Sequence, residues 1–166
     1  MSLARNQAYK AWIAAALWLG LIAVESTSLL STANTGRILY PLLTFFFGPI
    51  DPVKFAYWHH LLRKAGHVIG YGMLSFLLFR AWRATLPLAN AARWSWKWSR
   101  TALVMSALVA ALDEWHQSFL PSRTGKFGDV VLDTVAALTV QLLIFWLLKG
   151  WRSEGLRSAT YPTPFQ

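Results

Sequence analysis

The sequence contains no cysteine, which excludes a disulfide framework, thiol catalysis and cysteine-ligated zinc. Charge is scarce as well. Charged residues make up 14% of the 166 positions, against about 25% in a typical soluble domain. Acids are rarest: seven Asp and Glu face sixteen Lys and Arg. No internal repeat or low-complexity segment divides the chain, and its length suits one domain. What is abundant is apolar. The chain is 55% hydrophobic and 15% aromatic, contains ten Trp, and has a mean hydropathy of +0.38. Trp at this density fits interfacial aromatic belts, and the composition is that of an integral membrane protein. A net charge of +9 on a soluble domain would point to nucleic acid. Here the cations flank apolar runs, so no nucleic-acid partner is expected.

A hydrocarbon core about 30 Å thick takes about 20 mostly apolar residues as helix. Four stretches qualify, at about 11–30, 65–86, 101–120 and 127–148. The expected fold is therefore all-α, a four-helix membrane bundle within residues 1–150, with residues 151–166 as an unstructured cytoplasmic tail. An even number of spans puts both termini on one side. That side receives ten cations, among them Arg5, Lys10, Arg80, Arg83 and Lys149, and the other side six. Excess Lys and Arg mark the cytoplasmic face, so both termini are expected there, in a bacterial inner membrane. The WSWKW run, Trp94 to Trp98, reads as an interfacial belt facing anionic lipid. Cleavage of the first span as a signal peptide is the alternative, but no convincing small-residue site precedes Glu25. The run from Ile38 to Ile50 is too short to span, and Pro41 and Gly48–Pro49 interrupt helix. It is expected either to lie on or dip into the outer leaflet, or to pack over the bundle as a lid.

Polar residues cluster at the outward end of every span. Ionisable groups at membrane depth cost about 2.5–3.5 kcal/mol each on insertion scales, so a cluster of them marks a shared site. Lys64, His67 and Tyr71 follow at i, i+3 and i+7 and share a helical face. Gly66, Gly70 and Gly72 flank them and would let another helix approach closely. In the third span, Glu114 and Gln117 share a face and are assigned to the pocket. Asp113 points about 100° away and is expected to pair with a neighbouring helix. His116 is placed on the rim. Arg123 either clamps a phosphate or neutralises the acids as an ion pair, with Lys126 assisting. Asp129 and Asp133, at i, i+4, either hold a hard cation or share a proton, or they pair with Lys64 and Arg123. Glu25 lies at the same depth and joins the set.

The combined pattern resembles that of the VanZ-like membrane protein family. Lys-x-x-His-x-x-x-Tyr falls at Lys64, His67 and Tyr71. Asp-Glu-x-His-Gln runs from Asp113 to Gln117, Pro-x-Arg-x-Gly from Pro121 to Gly125, and Asp129 and Asp133 complete the pattern. The resemblance covers about 11–148. It departs at Ser122, where the family usually has Gly, and at Ala136, where Gly is frequent. It implies a small bacterial membrane protein from a family named for teicoplanin resistance, in a wider superfamily proposed to act on lipid head groups.

The first functional expectation is an outer-leaflet enzyme acting on a lipid phosphodiester or a lipid-linked envelope precursor. His67 would be base or nucleophile and Glu114 its orienter or the acid. Arg123 with Lys64 or Lys126 would meet the phosphate, and Tyr71 and Gln117 would position the head group. Asp129 and Asp133 would hold the cations or a divalent metal, which the sequence permits without requiring. The second expectation is a non-enzymatic protein that binds such a lipid or shields an antibiotic target. A transporter is disfavoured because the cytoplasmic halves hold almost no polar residues. Membrane lipids are the expected partners, and no oligomeric state is implied.

Overall fold

The computed structural model describes residues 2–86 and 94–159, with side chains within 5–86 and 94–148. The described residues are all-α and contain no strand. Five helices follow in order: α1 (Ser2–Ser26), α2 (Thr32–Phe47), α3 (Pro52–Thr85), α4 (Trp96–Ser118) and α5 (Phe127–Ala159), with a 3-10 turn at Ser28–Leu30 between α1 and α2. Helix α5 runs on past 148 into the stretch expected to be an unstructured tail. Residues 160–166 lie outside the described set.

Local sequence sets the boundaries. Asp51 caps α3, accepting from the backbone N–H of Val53 at 2.7 Å and Lys54 at 3.0 Å, and Pro52 takes the first helical position, where its missing N–H costs nothing. Ser31 caps α2 and Ser95 caps α4. Pro41 does not interrupt α2: the helix passes through it and ends at Gly48, whose φ of 82° suits glycine. The first span ends at Ser26 and gives way to the 3-10 turn, short of the expected 30.

Helix α3 is the spine, packing on α1, α4 and α5. Tryptophans tie α1 to it. Trp18 donates to the Gly70 carbonyl and Trp12 to the Thr85 hydroxyl, each at 2.8 Å. On α5, Gln141 donates to the Ser75 hydroxyl at 2.7 Å, and Ser75 donates to the Ala137 carbonyl at 3.1 Å. Helix α2 packs on α3 and the 3-10 turn. His59 of α3 lies 3.0 Å from the Thr35 hydroxyl and stacks on Phe55, which meets Tyr40 edge-on. The expected aromatic belt is split: Trp96 is exposed, whereas Trp98 is buried and donates to the Leu86 carbonyl, capping α3.

The distribution of polarity is inverted. Leu17, Leu21, Leu142 and Trp146 are exposed, while Ser75, Ser106, Glu114, Asp133 and Gln141 are buried. Water would drive the reverse arrangement. The windows Arg5–Ser26 and Phe127–Leu148 are long and apolar enough to cross a membrane, and only 11% and 28% of them are buried. Their apolar faces point away from the protein, which fits a membrane protein.

Candidate functional site

The site forms where α3, α4 and α5 meet at the end that carries the 3-10 turn. Helical spacing puts Lys64, His67 and Tyr71 on one face of α3, and each finds a carboxylate. Lys64 is ion-paired with Asp129. His67 Nδ1 lies 3.1 Å from Asp133 Oδ2, and Asp133 is fully buried. The Tyr71 hydroxyl donates to Asp113 Oδ2 at 3.0 Å, and Gln117 Nε2 donates to the same oxygen at 3.1 Å. The imidazole and the Tyr71 ring stack at 6.3 Å. Asp113 thus pairs with Tyr71 of α3, and it lines a cavity beside the site that Glu114, the acid expected in the pocket, does not line.

Glu114 is buried, and its Oε2 accepts the Lys126 backbone N–H at 2.7 Å. Its Oε1, like Asp133 Oδ1, has no hydrogen-bond partner among the described residues. Ligand atoms of His67, Glu114 and Asp133 lie within 4.8 Å of one another. One expectation changes here: Asp133, not Glu114, holds the imidazole. Asp129 pairs with Lys64, one of the alternatives left open by the sequence, and the acids that converge are Glu114 and Asp133.

Arg123 is also buried, but it forms no ion pair among the described residues. It donates to backbone carbonyls at the end of α1, to Glu25, and to Thr27 at 2.7 Å. Arg63 donates to the Leu30 carbonyl at 2.7 Å. Two guanidiniums therefore cap the segment 25–30, where unsatisfied carbonyls carry partial negative charge. Burial pulls Arg123 below its ordinary value and Arg63 adds like-charge repulsion. Burial lowers Arg63 too, partly offset by Glu25 and Glu114. Lys126 and Glu25 are exposed at the rim. His116 is exposed and lies 3.2 Å from the Ser26 hydroxyl.

Two cavities open beside these groups and share His67, Arg63, Gln117 and Arg123 as walls. One is apolar, bounded by Ile22, Leu30, Leu39 and Leu62. The other, about 350 Å³, is polar, bounded by His60, Lys64, Thr124 and Lys126. Gly66 and Gly70 line the apolar cavity, and a Cβ on either meets nothing within 4 Å. They open space; of the three glycines, only Gly72 admits a close helix, with Val140 at 3.2 Å from its would-be Cβ. Sequence reasoning missed Arg63 and His60. The signal was present, since Arg63 precedes His67 by four and His60 precedes Lys64 by four, which continues the polar face one turn outward.

The VanZ/LLP1 family model matches residues 11–149. No curated relative and no solved structure matches the chain.

Proposed function

The chain belongs to the VanZ/LLP1 family, and from that premise and the site's chemistry we propose that it acts on the phosphate-bearing head group of a membrane lipid or lipid-linked envelope precursor. The observation that carries this reading is the junction of the two cavities. One wall set, Arg63, His67, Gln117 and Arg123, faces an apolar slot on one side and a basic polar chamber on the other. A ligand that fills both is amphiphilic and anionic. The exposed apolar faces of α1 and α5 support crossings by those two helices; the reading extends this to four crossings in a bacterial inner membrane, with both termini cytoplasmic and the site at the outward end.

The chemistry follows from His67. Asp133 holds Nδ1, which leaves Nε2 to take or give a proton at the cavity wall. In phosphodiester cleavage or exchange, an incoming hydroxyl oxygen bonds phosphorus, and the bond to the departing head-group oxygen breaks. His67, at the wall of both cavities, takes the proton of the incoming oxygen and returns it to the departing one, with Glu114 beside it but lining neither cavity. Arg63 and Arg123 line both cavities and form no ion pair among the described residues, so an anion held there would meet two guanidiniums. Tyr71 and Gln117 are already bound to Asp113, and the three line the apolar slot.

The test is a lipid profile of membranes from cells expressing the wild type, His67→Ala or an empty vector, at equal protein level. A lipid that changes with wild type and reverts with His67→Ala establishes turnover and identifies the substrate. Three identical profiles move the protein to the second reading, a binder that holds the same anion without chemistry and serves glycopeptide resistance by occupancy. The unpaired arginines favour that reading over a transporter.

A further inference from the structure

We propose that His67, Glu114 and Asp133 form a binding site for one divalent transition ion of the zinc or manganese class. Each group comes from a different helix, α3, α4 and α5 in turn, and their ligand atoms lie within 4.8 Å of one another. Neighbouring donors around one ion at about 2.0–2.2 Å stand about 3.0–3.6 Å apart, so side-chain movements of about 1–2 Å close the site. Glu114 Oε1 and Asp133 Oδ1 are the second observation. Both side chains are more than nine-tenths buried, and neither oxygen has a hydrogen-bond partner among the described residues.

Charge supports the same conclusion. Two carboxylates at this depth are costly unless paired. Lys64 pairs with Asp129, and Arg63 and Arg123 sit on backbone carbonyls with no ion pair to either acid among the described residues. A divalent ion neutralises both acids at once and satisfies both free oxygens. One imidazole with two carboxylates and no thiol suits zinc or manganese better than the oxygen-only shells of calcium and magnesium. Coordination through Nδ1 replaces the hydrogen bond to Asp133 and leaves Nε2 bearing the proton toward the cavities. His67 then becomes a donor to the phosphate and its leaving oxygen.

The site stands without the lipid reading, because the ion can be measured with no lipid substrate present. Tag-free, chelator-stripped protein in nanodiscs is dialysed against Mn(II) or Zn(II). Bound Mn(II) is read by loss of the free-ion paramagnetic signal, and Zn(II) by elemental analysis. The expected result is one ion per wild-type chain, at least a tenfold loss of affinity in Glu114→Gln and in Asp133→Asn, and retention in Glu25→Gln. Wild-type protein that takes up less than a tenth of an equivalent overturns the site, as does equal uptake by both cluster variants. Wild type alone suffices if the variants do not fold. Ion uptake with unchanged lipid profiles retires the lipid reading alone; lipid turnover without the ion retires the ion alone.

Discussion

At the scale of single residues, the site depends as much on missing side chains as on functional groups. Gly125 sits in the turn that returns the chain from α4 to α5. A Cβ there would lie 2.2 Å from the Glu114 carbonyl oxygen and 3.0 Å from the Ser118 N. Both are backbone atoms of the last turns of α4 and cannot swing aside. Gly125→Ala must therefore push the turn away from α4, breaking the Lys126 N–H bond to Glu114. Overpacking of this kind costs about 1–3 kcal/mol. Gly66→Ala is the matched control. Its Cβ meets nothing, and replacing a mid-helix glycine gains about 0.5–1 kcal/mol. Thermal unfolding in detergent should show Gly125→Ala melting well below wild type and Gly66→Ala at or above it. Equal melting of the two would mean that the turn does not press on α4 as the geometry requires.

At the scale of elements, spacing predicted which groups meet but not always what they meet. The i, i+3, i+7 face of α3 was legible because a helix fixes those angles wherever it packs; which of the adjacent acids Asp113 and Glu114 lines a cavity was not, because that depends on the rotation of α4. That Arg123 would reach back to the carbonyls of Glu25 and Thr27 was not, because it depends on where α1 stops. The fate of Pro41 was illegible for a related reason, since tertiary contacts held α2 through it. Those contacts include the buried His59 against Thr35. Burial, then the charge of Arg63, holds His59 below its ordinary value of 6.5. A histidine whose folded pKa is depressed favours the folded contact while neutral. Its contribution is present above about 6.5 and is lost as pH falls below that value toward the folded pKa. The α2 helix should therefore loosen in mild acid. The absence of cysteine makes a spin label at Phe46→Cys unique. Its mobility should rise on acidification, and His59→Gln should flatten that response. A label equally immobile at pH 7 and pH 5 would remove His59 from any part in holding α2.

At the scale of the whole molecule, hydropathy and packing give different counts of membrane crossings. By length and composition only α1 and α5 qualify, because α3 and α4 carry the polar groups of the site. Packing says otherwise. Trp12 bonds Thr85, and Trp94 meets Phe145 at 4.9 Å. At the opposite end, Asp133 holds His67 and Arg123 reaches Thr27. Helices α3 and α4 thus lie beside α1 and α5 from one end to the other, which is the arrangement that the proposed four crossings require. Two and four crossings place the termini alike, and with cytoplasmic termini, as proposed, both put Ser122 outside. They differ at the connection between α3 and α4, which is cytoplasmic only with four. Trp96 lies there and is exposed, and single-cysteine labelling has no background in this chain. In intact cells, or spheroplasts if an outer membrane intervenes, an impermeant maleimide should label Ser122→Cys and spare Trp96→Cys until the membrane is opened. Labelling of both in sealed membranes would establish two crossings. His67 and Tyr71 would then leave membrane depth, and the inverted burial of charge would need another explanation. Protection of Trp96→Cys would support four crossings, with the buried acids on helices that all cross.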